Sequence, residues 1–127
     1  MNVFDAPSLG GPLYGEDLGL ACPSCGEHNL HHTDVRVYDR GDDALTVRLT
    51  EVLECSVVVR EELASVGCPS PRRDGLIIGF WCELCDPSDR LNLLIYQHKG
   101  TTYLRWERGE RVPEVTEQPG DLGAKVS

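Results

Sequence analysis

Between Leu30 and Trp106 the apolar residues recur in short runs with a period of two, the pattern of half-buried strands. No segment carries the three-to-four spacing of an amphipathic helix. Val35 and Val37 alternate with Asp34, Arg36 and Tyr38, which predicts a strand near residues 30–39. A turn follows in DRGDD, residues 39–43, with Gly41 at its centre. The run ALTVRLTEVLECSVVVREE, residues 44–62, sets Leu45, Val47, Leu49, Leu53, Cys55, Val57 and Val59 on odd positions. It reads as two short strands, or as one long strand bent near Glu51. A helix beginning near Thr50 is the weaker option, because the β-branched residues between Val52 and Val59 oppose it. Pro69, Ser70 and Pro71, with the Asp74-Gly75 pair, mark a loop and a turn. The nearly continuous apolar run from Leu76 to Trp81 predicts a central strand. Leu91, Leu93 and Ile95 then alternate with Asn92, Leu94 and Tyr96. Lys99-Gly100 predicts a tight turn into Thr101 to Trp106, where Thr102, Leu104 and Trp106 share one face, so this last pair reads as a hairpin.

The two ends break the pattern. Residues 1–20 are rich in Gly and Pro and show no sustained period, so an irregular lead-in is expected, with Val3, Phe4, Leu13 and Tyr14 docking onto the domain. Residues 109–127 are polar, contain Pro and Gly and lack aromatics, the composition of a flexible acidic tail. A length of 127 residues suits one domain, expected over residues 21–108. The apolar fraction of 40% is a little under the globular norm, which agrees with unpacked ends. No run approaches the roughly 20 apolar residues a bilayer requires, and the N-terminus lacks a basic-then-apolar layout. A cytoplasmic protein without a membrane partner is therefore expected.

Six cysteines change the picture. In a reducing compartment they serve more often as metal ligands or catalytic thiols than as a disulfide frame. A disulfide-stapled secreted domain is the alternative, without an export signal to favour it. Four of the six fall into two Cys-x-x-Cys pairs, in CPSCGEH at residues 22–28 and GFWCELCD at residues 79–86. This spacing forms a tight knuckle whose backbone turns two sulfurs, and several amide N–H groups, toward one centre. Gly26 suits the position just past the first knuckle because it tolerates a positive φ. Two knuckles beside predicted strands make a tetrahedral four-sulfur site, with Zn–S distances of about 2.3 Å. Cys22, Cys25, Cys82 and Cys85 are thus the expected ligands of one structural Zn²⁺. A redox-dithiol reading of GFWCELCD needs a helix N-terminus in a βαβ pattern, which is not visible. Glu83 and Asp86 would also raise a thiol pKa rather than lower it.

With CPSCG heading one strand and WCELC ending a later one, the chain resembles a zinc ribbon. Ribbons separate their knuckles by roughly 15–20 residues. Here 56 residues lie between Cys25 and Cys82. The resemblance therefore implies an all-β fold: an elaborated ribbon with an antiparallel sheet inserted between the metal half-sites, and flexible termini. The order CPSCG, SPRRDG, FWCELC, QHKGTTYLRW is also similar to that of a group of small proteins from actinobacteria and their phages, over residues 22–107. That resemblance implies a fold and brings no activity with it. Rubredoxins hold iron on two such knuckles and are also small and acidic. The long spacing and the 6% aromatic content separate this chain from them and favour zinc.

Each remaining candidate has a plain structural reading beside the functional one. Cys55, among Leu53, Val57 and Val59, reads as a small buried hydrophobe. Cys68, in the loop before Pro69, reads as an incidental thiol, with a partial site alongside Cys55 and a histidine as the alternative. His28, His31 and His32 read as polar residues at a strand entrance, with a substitute ligand or second metal as the functional option. Of Trp81 and Trp106, one is expected to close the core beside the metal. Arg72, Arg73, Lys99 and Arg105 are the candidates for a basic strip, diluted by Asp74 and Glu107.

Charge then weighs on function. Asp and Glu outnumber Lys and Arg by 21 to 12, giving a net charge of −9. Duplex nucleic acid carries about one negative charge per 1.7 Å and is met by basic faces. No nucleophile elbow, His-Glu-x-x-His, phosphate loop or deaminase signature is present. The expected role is non-enzymatic: a protein-interaction module docking through a sheet edge, the hairpin at Lys99-Gly100 or the acidic tail. The alternative is a nucleic-acid-associated ribbon of the transcription-machinery type using Arg72, Arg73, Lys99 and Arg105. A metalloenzyme or iron electron carrier would need an open coordination position or iron.

Overall fold

The strand expected near residues 30–39 runs over Leu30–Asp39 and pairs on both sides, which makes it the organising element of the fold. The computed structural model describes residues 2–3, 7–14 and 17–109. Its strands in chain order are β1 (Asn2–Val3), β2 (Leu9–Tyr14), β3 (Asp17–Leu20), β4 (Leu30–Asp39), β5 (Thr46–Leu53), β6 (Ser56–Leu63), β7 (Gly75–Cys82), β8 (Leu91–His98) and β9 (Thr101–Arg108). The described residues contain no helix, so the fold is all-β, and none of them forms a helix able to cross a membrane. Six long strands and the two-residue β1 build one antiparallel sheet in the order β1-β9-β8-β7-β4-β5-β6. The apolar run at Leu76–Trp81 forms most of β7, in the middle of that order, as a run apolar on both faces should.

The residues around each turn explain the register. Lys99 and Gly100 both take positive φ, 52° and 82°, and close the β8–β9 hairpin with His98 opposite Thr101. The odd-position run of residues 44–62 is not one strand bent at Glu51. It folds back at Glu54 and Cys55, with Leu53 opposite Ser56 and Glu54 at φ 56°. That two-residue turn inverts parity, so Val47 lies opposite Glu62 and Leu49 opposite Arg60. Odd residues of β5 and odd residues of β6 therefore lie on opposite faces of the sheet. Val47 and Leu49 are buried, whereas Val57 and Val59 are 65% and 56% exposed. Cys55, expected in the core, is instead exposed in the turn itself.

The closed face carries Tyr38, Val47, Leu49, Ile77 and Leu94, all buried, under Ala64 and Cys68 of the 64–74 connection. This segment leads from edge strand β6 to central β7 and is held at the sheet end opposite the knuckles. Ala64 N–H donates to Leu45 C=O, Asp43 N–H to Arg72 C=O, and Ser70 Oγ to Gln97 C=O, at 2.7–2.8 Å. On the same face Asp34 and Arg36 are buried beside Arg90. Gly79 is their floor. A Cβ there would collide with Asp34 Oδ1 and lie 2.8 Å from Arg90 Nη2 and 2.9 Å from Thr33 Oγ1. Gly79→Ala is expected to destabilise the domain by about 1–3 kcal/mol, the range of an overpacked site. Urea unfolding would show it, and an unchanged midpoint would refute it.

The opposite face carries the second cluster, Cys22, Cys82, Leu91, Leu93 and Trp106, with Phe80 edge-on to Trp106 at 5.6 Å. The lead-in differs from its expectation. Residues Leu9–Tyr14 and Asp17–Leu20 form a separate two-stranded hairpin with register shifts around Pro12, and Asn2–Val3 adds to β9. A Gly- and Pro-rich sequence hides such a pair because it has no period-two signal. The docking expected of the side chains of Val3, Phe4, Leu13 and Tyr14 lies outside the described residues, as does the tail from residue 110.

Candidate metal centre

The two knuckles meet because β4 and β7 are antiparallel neighbours, with Leu30 opposite Cys82. The first knuckle lies before β4 and the second ends β7, so both fall at one end of the sheet. In the first, Gly26 N–H donates to Cys22 C=O at 2.9 Å and Ser24 N–H to Cys22 Sγ at 3.4 Å. Gly26 sits at φ 82°, the positive value a side chain would resist. In the second, Cys85 N–H approaches Cys82 C=O at 3.3 Å. Glu83 N–H donates to Asn29 C=O at 3.0 Å and ties one knuckle to the other.

All four sulfurs of Cys22, Cys25, Cys82 and Cys85 lie within 4.8 Å of one another. Cys22 Sγ is 4.0 Å from Cys85 Sγ, and Cys25 Sγ is 3.7 Å from Cys82 Sγ. A tetrahedron with metal–sulfur bonds of about 2.3 Å has edges of about 3.8 Å, so these distances fit one ion. They are far above the roughly 2.05 Å of a disulfide. Cys22 and Cys82 are buried, Cys85 is half-buried and Cys25 is exposed. Four sulfurs fill a tetrahedral site, which leaves no position for a substrate or activated water.

Electrostatics point the same way. Burial, and then the neighbouring Cys82, Cys25 and Cys22 thiols, push Cys85 up to about 12. Burial also raises Cys82. Burial opposes ionisation of Cys22, but hydrogen bonds from backbone N–H groups at Cys25 and Ser24 outweigh it and lower that thiol. Four thiols this close share their protons and cannot all ionise unaided. A divalent cation removes that conflict, at the cost of releasing protons when it binds.

The other candidates are dispersed. Cys68 is half-buried, and its Sγ donates to Arg73 C=O at 3.7 Å, away from the four sulfurs. His31 stacks on Trp81 at 4.7 Å between centroids and pairs with Glu83. Neither it, His28 nor His32 joins the sulfur cluster. Trp106 is the aromatic buried against Cys22 and Cys82. The basic strip is largely neutralised: Arg72 pairs with Asp43 at 2.9 Å, Arg73 with Asp42 at 2.7 Å and Arg105 with Glu107 at 3.3 Å. Sequence reasoning missed the buried Asp34–Arg36–Arg90 group. Its signal was present, since Asp34 and Arg36 share parity with the large aromatic Tyr38.

Compared with family models, with curated proteins and with solved structures, the chain matches none.

Proposed function

We propose that the four sulfurs hold one structural zinc ion, and that the domain so tied works by binding another protein rather than by catalysis. What supports the second half is the face of the sheet opposite Tyr38. By register, Val57, Val52, Val35, Ile78, Leu93 and Trp106 form a row across six strands. Next to it runs Val59, Thr50, Val37, Leu76, Ile95 and Leu104. The cysteine knuckles and their cluster bury Leu93 and Trp106, whereas Val57, Val59, Val37 and Leu104 stay 41–65% exposed. An apolar surface spread over adjacent strands favours a protein contact. The neutralised arginines and the net charge of −9 weigh against a nucleic-acid role.

Two measurements test this reading. The purified protein should be colourless with one equivalent of zinc, and a red protein absorbing in the visible would overturn zinc for iron. Duplex DNA and single-stranded RNA should not be retained at 50 mM salt. Retention that falls steeply toward 200 mM would replace protein binding with phosphate contacts.

A further inference from the structure

The two edges of the sheet differ. β1 pairs with β9 at Glu107 and Arg108 alone, while β6 has β5 along its whole length on one side and nothing described on the other. β6 is eight residues long and pairs with β5 without a register shift from Ser56 to Leu63. It contains no proline, and its single cation, Arg60, is held by Glu51 at 2.8 Å and Glu62 at 2.7 Å. Long edges without proline or a bulge accept further strands, and the charges at Arg60, Glu61 and Glu62 restrict which strand fits.

The hairpin turn fixes which groups are free. Leu53 and Ser56 flank a two-residue turn, so they exchange hydrogen bonds, and so do the pairs two residues further along. Backbone groups of residues 56, 58, 60 and 62 therefore face β5, and those of Val57, Val59, Glu61 and Leu63 face outward. Leu63 C=O is already taken by Val66 N–H at 2.9 Å. Side chains of the outward-bonding residues lie on the exposed apolar face, in the sequence apolar, apolar, acidic, apolar. Glu61 is exposed and makes no ion pair among the described residues.

Charge selects the occupant. A second copy pairing antiparallel through β6, in the register that uses all four outward residues, would set Val59 against Glu61 and Arg60 against Arg60. That is a poor match. A partner strand with apolar residues opposite Leu63, Val59 and Val57 and a basic residue opposite Glu61 matches every position. We infer that β6 takes an antiparallel strand from a basic partner protein, of the pattern apolar-x-basic-x-apolar-x-apolar. It extends the Val57–Val52–Val35 row onto the partner, and the chain's negative charge steers the encounter. This inference rests on the protein-binding reading and specifies its site.

The test uses the full zinc-loaded chain and the capped peptide Val-Thr-Lys-Thr-Val-Thr-Val, read by amide chemical shifts. Shifts are expected at Val57, Val59, Glu61 and Leu63, with a weaker response to the reversed order Val-Thr-Val-Thr-Lys-Thr-Val. Glu61→Lys should weaken the first peptide roughly five- to tenfold and favour a version with Glu in place of Lys, from the size of cross-strand charge pairs. Val59→Pro should fold normally, because that N–H does not serve β5, yet lose the peptide. Several results would overturn the inference: no shifts, shifts indifferent to peptide order, or a concentration-dependent dimer perturbing the same four amides. A native partner whose exchange footprint misses residues 57–63 would also overturn it while leaving the protein-binding reading intact. Salt-steep nucleic-acid binding would remove that reading itself.

Discussion

Removing the metal with a chelator, or replacing Cys82 by Ser, is expected to unfold the domain at room temperature. The cluster at the knuckle end has five buried members, and Cys22 and Cys82 are two of them. Without an ion these are buried thiols with raised or conflicting proton demands rather than a packed apolar layer. The knuckles also join the segment before β4 to the end of β7, residues more than fifty apart in sequence. Apparent binding energies of structural zinc are about 10–16 kcal/mol, as large as the whole stability of a small domain. Far-UV circular dichroism and thermal melting check this, with Cys55→Ser as the control. Cys55 is exposed in a turn and outside the sulfur cluster, so its replacement should leave the melt unchanged. A melt that survives chelation would show the metal to be dispensable.

What could be read from the chain follows from the range over which each signal acts. Strand positions and the Lys99-Gly100 hairpin are local, and the structure places them within a residue or two of expectation. The clustering of Cys22, Cys25, Cys82 and Cys85 was legible because Cys-x-x-Cys geometry is also local, and only the pairing of two copies is long-range. The long gap between them is occupied by the β5–β6 hairpin and the 64–74 connection, consistent with an insertion between half-sites. Inside and outside were less legible. The parity change at Glu54-Cys55 sends Val57 and Val59 to the face opposite Val47 and Leu49, and alternation alone cannot reveal where a run folds back. Cys55 was misplaced for that reason. The bulge in β4 between His32 and Val35 has a similar effect, shifting parity midway along a strand that looks regular.

The same parity explains why Asp34→Ala should be the most damaging single change away from the cysteines, costing about 3–5 kcal/mol. Asp34 is 5% exposed and anchors a chain of charges across the closed face. Its carboxylate meets Arg90 at 3.0 Å and Arg36 at 3.3 Å, and accepts a hydrogen bond from Thr33 Oγ1 at 2.7 Å. Arg36 continues to Glu51 at 2.9 Å, and Glu51 to Arg60 at 2.8 Å. Removing Asp34 leaves Arg36 buried with one partner, and its Nη1 already has none. The exposed Asp43–Arg72 pair has comparable distances, yet water screens it, so Asp43→Ala should hardly move the unfolding midpoint. The pH dependence follows from Glu51. Burial would raise its pKa, but hydrogen bonds from Arg36 and Arg60 hold it below the usual carboxylate range. A depressed folded-state pKa stabilises the protein above the unfolded value, near 4.3, and that contribution is lost as pH falls through the folded one. Asp34→Ala leaves Glu51 as the carboxylate that Arg36 holds, so the variant should keep the wild type's loss of stability as pH falls below about 4.3. Urea titrations across that range would measure both effects. A loss under 1 kcal/mol at neutral pH would mean that water already reaches the buried pair.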